Sequence, residues 1–220
     1  MKYAHVCPAV FLERPNRFIA HVELDGRRET VHVKNTGRCR ELLVPGCQVF
    51  LSAAENPRRR TAWDLIAVRK SSGLLVNIDS QAPNAAVREW LRGFDAVRPE
   101  YVYGGSRLDF FLERGGERLL MEVKGCTLEI GGVGYFPDAP TERGAKHLRE
   151  LTGALREGYR ALLAFVIQMD GVTEVRPNAP TDPAFAAALA EAAAAGVEIL
   201  YLPCHVEPDE LRITAGTMII

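Results

Sequence analysis

The amino-acid sequence predicts an α+β chain of two domains, a small β-barrel followed by a mixed α/β domain. Three observations carry this. The first 70 residues read as five short strands with one helical insertion after the third. Beyond residue 80, helical and strand patterns alternate. The charge also changes sign there: residues 1–80 hold 13 Lys/Arg against 8 Asp/Glu, and residues 81–220 hold 14 against 20. We place the boundary at 1–80 and 81–220.

The five strands are expected at 7–12, 17–24, 28–33, 48–53 and 63–69. Turn signals separate them: Pro15-Asn16, Asp25-Gly26, Pro45-Gly46 and Asn56-Pro57. The stretch NTGRCRELLVPG between the third and fourth strands reads as one or two helical turns. This order is that of an OB-fold barrel, which binds oligonucleotides or oligosaccharides on its strand 2–3 face and on the loops joining strands 1–2 and 4–5. Here the first of those loops brings Arg14 and Arg17. The second brings Arg58, Arg59 and Arg60 beside Trp63. Arginines next to an aromatic suit phosphate contact and base stacking, so nucleic acid is the expected partner. Solvated basic loops and a sugar-binding barrel are the alternatives.

In the second part, Pro83-Asn84 opens a helix with Val87, Trp90, Leu91 and Phe94 on one face. Residues 100–124 are β-rich. A helix is expected over 141–157, a strand over 161–168, an alanine-rich helix in DPAFAAALAEAAAAG, and a strand over 197–202. The five cysteines are scattered without a CxxC pair, which argues against a structural zinc site and for reduced thiols in the cytoplasm. No stretch has the length of a membrane span, and Glu13, Arg14 and Pro15 break the short N-terminal apolar run, which makes a poor signal peptide.

The segment SRLDFFLERGGERLLMEVKGCTL is apolar and β-prone, yet Asp109, Glu122 and Lys124 interrupt it. Gly104-Gly105 and Gly115-Gly116 are two-residue hairpin signals. Hairpins closed at those pairs place Glu100 opposite Asp109 and Asp109 opposite Glu122, a row of three carboxylates across three strands. Like charges at directly opposed positions destabilise a sheet. A divalent cation held by hard oxygen ligands removes the repulsion, and Mg²⁺ or Mn²⁺ fits. Lys124, two residues beyond Glu122, shares its face. The alternatives are a solvent-facing sheet surface that carries charges, and acids neutralised by Arg107 and Lys124 alone.

An Asp followed by E-x-K on the next strand is the PD-(D/E)xK nuclease pattern. With SRLDF, MEVKGCTL, FPDAPTERGAKHLREL and FVIQMD, essentially the whole chain resembles the sugar fermentation stimulation protein A family. The resemblance implies an OB-fold joined to a PD-(D/E)xK nuclease-like α/β domain. The family is described as DNA-binding and linked to regulation of sugar (maltose) metabolism genes. Carried over, it makes Asp109, Glu122 and Lys124 the nuclease-type core, with Glu100 an added acid; Leu108 stands where the pattern has proline. Arg143, Lys146 and His147, in the FPDAPTERGAKHLREL block, join Arg107 as candidate nucleic-acid contacts. Two functions follow: a metal-dependent phosphodiesterase acting on DNA, or a DNA-binding regulator that does not cut.

Overall fold

The computed structural model describes residues 1–35, 37–54, 56 and 58–216. The turn expected at Asn56-Pro57 falls partly outside them, at Pro57.

The N-terminal strands are β1 (Val6–Asn16), β2 (Ile19–Leu24), β3 (Arg27–Val33), β4 (Gln48–Ala53), β5 (Trp63–Arg69) and β6 (Leu75–Asn77). They hydrogen-bond in the order β3-β2-β1-β4-β5-β6, and a parallel pairing of β3 with β5 (His32 with Asp64, Val33 with Leu65) closes the barrel. Alternating apolar residues line its inside, among them Phe11, Val22, Val31, Val49, Leu51 and Leu65. The helical insertion reduces to one turn: the Leu43 N–H donates to the Cys39 carbonyl at 2.9 Å, and Pro45-Gly46 then ends any continuation.

The second part contains α1 (Ala82–Trp90), β7 (Ala96–Tyr103), β8 (Ser106–Arg114), β9 (Glu117–Cys126), β10 (Leu128–Ile130), β11 (Val133–Phe136), α2 (Glu142–Arg156), β12 (Arg160–Ile167), β13 (Val175–Pro177), α3 (Pro183–Ala195), β14 (Glu198–Glu207) and β15 (Glu210–Ile213). Its main sheet runs β15-β14-β12-β9-β8-β7, with β9, β12 and β14 mutually parallel and an antiparallel strand pairing at each side. A small sheet, β10-β11-β13, stands apart. Thr141 caps α2 by accepting from the Gly144 N–H at 3.1 Å, and Asp182 caps α3 through Phe185. Leu148, Leu151 and Ala154 bury one stripe of α2 on the sheet face formed by Leu108, Phe111 and Leu120. α1 lies on the opposite face, against Phe110, Met121 and Val123.

Among the described residues the barrel and the second part share no continuous sheet; isolated bridges, Lys2 with Glu210 and Val76 with Met169, cross between them. Both hydrophobic clusters nevertheless draw residues from both parts. Polar contacts fix the junction. Gln168 donates to the Asn77 side-chain oxygen at 2.9 Å and to the Asp79 carbonyl at 3.1 Å, and on the barrel side Lys34 pairs with the buried Asp79 at 2.9 Å. A Cβ at Gly125 would lie 2.2 Å from the Gln168 oxygen and 2.8 Å from Pro83, so only glycine admits this approach.

Candidate active site

Both Gly-Gly turns form, and they set the register. Gly115 and Gly116 have φ of 57° and 85°, as the tight hairpin turn requires. β7 pairs with β8 as Tyr103–Ser106, Tyr101–Leu108 and Pro99–Phe110, and β8 with β9 as Arg114–Glu117 through Phe110–Met121. These are the registers that oppose Glu100 to Asp109 and Asp109 to Glu122.

At the acids themselves the ladder opens. Glu100 has a φ of 56°, unusual for a residue with a side chain. The faces reverse there: Leu108 belongs with the α2-side core, whereas Phe110, two residues on, belongs with the α1-side core. Glu100 and Asp109 are not paired, and neither are Asp109 and Glu122. Asp109 turns its Oδ2 to the backbone of β9, where it accepts from the Val123 N–H at 2.8 Å. Asn84 of α1 donates to its Oδ1 at 2.7 Å. The expected flat row is therefore a fork, because the Asp109 side chain takes the place of a ladder bond.

Glu122 is 3% exposed and faces α2. Its Oε1 accepts from Lys124 Nζ at 2.5 Å and contacts His147 Nδ1. Its Oε2 is buried and has no partner among the described residues. Arg143 donates through Nε to His147 Nε2 at 3.3 Å. With Nε2 accepting, the ring proton belongs on Nδ1, where it donates to Glu122. His147 is thus a buried member of the site and not a surface histidine.

The two carboxyls differ in their electrostatics. Burial pushes the Asp109 carboxyl above its ordinary range, and the charge of Glu122 adds to this; the Val123 N–H and Asn84 oppose it. Burial pushes Glu122 up as well, but the His147 hydrogen bond and the Lys124 ammonium outweigh it and hold that carboxyl below its ordinary range.

Glu100 is exposed, and its carboxylate is ion-paired with Arg107, Nε to oxygen at 2.6 Å. As the side chains stand, no three of His, Cys, Asp or Glu among the described residues converge closely enough to hold a metal ion. Two families of sequence-predicted cations also separate. Arg17, Arg58 and Arg60 are exposed, and the Arg17 guanidinium lies 5.4 Å from the centroid of Phe18. Arg143 and Lys146 are exposed too, with Lys146 donating to the Gly105 carbonyl at 2.7 Å. Arg14 and Arg59 are engaged internally. Arg14 donates to the carbonyls of Gly37, Arg38, Arg17 and Asn35 at 2.6–2.9 Å, and its buried Nε has no partner among the described residues. Arg59 makes a two-pronged pair with Asp64, at 2.7 and 3.0 Å.

The comparisons with known proteins cover the whole fold. Residues 12–78 match the family described as the SfsA N-terminal OB domain, and residues 77–210 the sugar fermentation stimulation protein RE domain. A sugar fermentation stimulation protein homolog of Desulfitobacterium hafniense (strain DSM 10664 / DCB-2) is 51% identical, over 96% of this chain and 95% of its own. The chain belongs to the sugar fermentation stimulation family. A homolog of Ruminiclostridium cellulolyticum is 48% identical over 97% of this chain and 96% of its own. Among solved structures, that of Pyrococcus furiosus SfsA in complex with Ca²⁺ aligns with a TM-score of 0.87 at 30% identity, covering 97% of this chain and 95% of that one.

One site residue of this family member escapes the sequence reading. Asn84 reads only as a helix-opening residue after Pro83, yet it is the side chain that holds Asp109. Its signal was the uncommitted amide at the helix start; nothing local pairs it with a residue 25 positions away.

Proposed function

We propose that this family member is a metal-dependent phosphodiesterase acting on nucleic acid, with DNA as its substrate. The observation that carries the reading is the buried, unpartnered Glu122 Oε2 beside Asp109 and Lys124 at the β8–β9 fork. A buried carboxylate oxygen without a partner is costly, and the residues around it lower that cost for Oε1 only. Two neighbouring carboxylates suit Mg²⁺ or Mn²⁺, which keeps several waters and takes one or two protein carboxylates. The Ca²⁺ in the Pyrococcus furiosus relative supports a hard divalent cation in this fold. When bound, such an ion polarises the scissile phosphate and lowers the pKa of a coordinated water.

The chain's own residues do the rest. Asp109, fixed by Asn84 and the Val123 N–H, and Glu122, fixed by His147, would hold the ion. Glu100 would join them once released from Arg107. Lys124 orients the attacking water from its place on Glu122. Arg143 keeps its terminal nitrogens for the phosphate while its Nε holds His147, and so steadies developing negative charge. Arg107 and Lys146 flank the site. In the barrel, Arg17, Arg58 and Arg60 attract the backbone of the DNA. We take residues 1–80 as the nucleic-acid-binding unit and 81–220 as the cutting unit, in a cytoplasmic protein; no helix of the described residues is long and apolar enough to cross a membrane.

The second reading is a DNA-binding regulator of sugar metabolism genes that does not cut. The pairing of Lys124 with Glu122 and of Glu100 with Arg107, an arrangement closed on itself, favours it. Incubating the purified protein and its Lys124→Ala variant with Mg²⁺ or Mn²⁺ and a panel of duplex DNA, single-stranded DNA and RNA separates the two. Cleavage by the wild type that Lys124→Ala lacks supports the first reading. Tight DNA binding with every form left whole supports the second.

A further inference from the structure

Asp109 is open to the α1 side. It shares a cleft of about 530 Å³ with Asn84, Arg88, Glu89 and Glu100, floored by Pro99 and Phe110. A substrate phosphate that reaches Asp109 from this side meets three acids and one arginine. Asn84 and Arg88 lie four residues apart on α1, hence one above the other on the same face. Asn84 is bonded to Asp109, so Arg88 stands one turn along the same helix from the site.

On this side of the sheet, among the described residues, the other cations are engaged or absent. Arg107 is paired with Glu100 and Lys124 with Glu122, and Arg143, whose Nε holds His147, stands on α2 across the sheet. Arg88 is exposed and enters no hydrogen bond or ion pair among the described residues. Its planar fork is the group that recognises a phosphodiester by two parallel hydrogen bonds.

We propose that Arg88 is the substrate-orienting residue of this site: it grips a phosphate of the nucleic-acid backbone in the α1–β7 cleft and delivers the neighbouring phosphodiester to Asp109. The inference rests on the phosphodiesterase reading for the delivery step and on nucleic-acid binding alone for the grip. A merely structural role is the rival, since a cation in the last turn of a helix favours its dipole.

The experiment compares wild type, Arg88→Ala and Arg88→Lys. Two quantities are read: kcat and KM for DNA cleavage with Mg²⁺ or Mn²⁺, and the salt dependence of binding to a labelled DNA duplex and to its single strand in Ca²⁺. Arg88→Ala raises KM and lowers kcat/KM about tenfold or more. It also reduces the slope of log K against log salt by about 0.7–0.9, one phosphate contact. Arg88→Lys keeps the slope but restores kcat/KM only in part, because an ammonium lacks the fork. Thermal unfolding stays unchanged. Wild-type kcat/KM and slope in Arg88→Ala overturn the inference. So does a lowered Tm that Arg88→Lys restores together with full activity, which is the signature of the helix-end role. If the wild type binds DNA and cuts no form of it, the phosphodiesterase reading falls, and the slope alone decides the grip. If the wild type binds no nucleic acid, both fall.

Discussion

In the barrel, three cations are tied to the chain's own acceptors. Arg14 holds four carbonyls, Arg59 holds Asp64, and Lys34 holds Asp79. In the second domain, a buried carboxylate is left with one oxygen unmatched, and two carboxyls near each other are pushed in opposite directions. The contrast teaches that residue type does not distinguish scaffold from site. What distinguishes them is how much of the hydrogen-bonding capacity is filled from within: four carbonyls take the terminal nitrogens of Arg14 and leave only its Nε without a partner among the described residues, whereas one whole oxygen of the Glu122 carboxylate is left over. Arg14 looks like a DNA contact in the sequence and is a staple in the fold. Glu122 looks like an interruption of a strand and is a buried acid with an oxygen still to be matched.

The sharpest way to break this contrast is Lys124→Ala. General acid–base and water-positioning groups contribute about 10²–10⁴-fold, so turnover should fall by that range, while affinity for Mn²⁺ measured by titration calorimetry stays near wild type. A variant that cuts as well as wild type removes Lys124 from the chemistry. On the barrel side, the matching variant is Arg14→Ala. It strands carbonyls of two loop segments, at Arg17 and at Asn35, Gly37 and Arg38, and should cost about 3 kcal/mol of stability in denaturant unfolding, with DNA affinity of the folded fraction unchanged. A stable Arg14→Ala protein with weakened DNA binding reverses the assignment.

Asp109→Asn tests the electrostatics. Burial and Glu122 raise the folded carboxyl above its value in the unfolded chain, so the folded state binds that proton more tightly. The ionised form therefore costs stability, fully above the raised folded value and not at all below the ordinary aspartate range near about 3.9. In metal-free buffer at neutral pH, Asp109→Asn should be more stable than wild type by about 1 kcal/mol. The gap should close as the pH is lowered through that window. Glu122 works in the opposite sense: its stabilisation is present above the ordinary glutamate range and is lost as pH falls through its depressed folded value. Asp109→Asn should also abolish Mn²⁺ binding. Equal Mn²⁺ binding by the two proteins would show that the fork is not a metal site.

Much of this was legible in the residues. The Gly-Gly turns fix hairpin register by local backbone geometry, so the β7–β8 and β8–β9 pairings follow from the sequence. The barrel strands follow from alternation and turn signals, and α2 and α3 from their helical patterns. The opening of the ladder at Asp109 was not legible, because it depends on a side chain competing with a backbone carbonyl for the Val123 N–H. The burial of His147 was not legible either: the apolar stripe of α2 sets its face only to within a residue, and His147 lies at the stripe's margin. Strand β15 follows a Pro-Asp turn and is too short in apolar residues to stand out. The engagement of Arg14 required loops that meet only in the fold.

The smallest expected effect divides the triple arginine of the loop between β4 and β5. Sequence alone treats Arg58, Arg59 and Arg60 alike. In the fold, Arg58 and Arg60 are exposed and Arg59 is bound to Asp64, whose Oδ1 also lies 2.9 Å from His32 Nδ1. The Arg59 pair and His32 hold the Asp64 carboxyl below its ordinary range against the upward push of burial. If the barrel binds DNA through its exposed cations, replacing Arg58 and Arg60 together lowers the salt slope by about 0.7–0.9 for each phosphate no longer neutralised, without changing Tm. Arg59→Ala leaves the slope near wild type and instead removes the partner of a buried acid, which lowers stability by about 1–2 kcal/mol at neutral pH. Acid removes that difference: as pH falls through the depressed Asp64 value, the wild type loses the same pair, and the two proteins converge. Three arginines that shift the salt slope equally would mean that Asp64 releases Arg59 to DNA, and the line between scaffold and contact cations in the barrel would have to be redrawn.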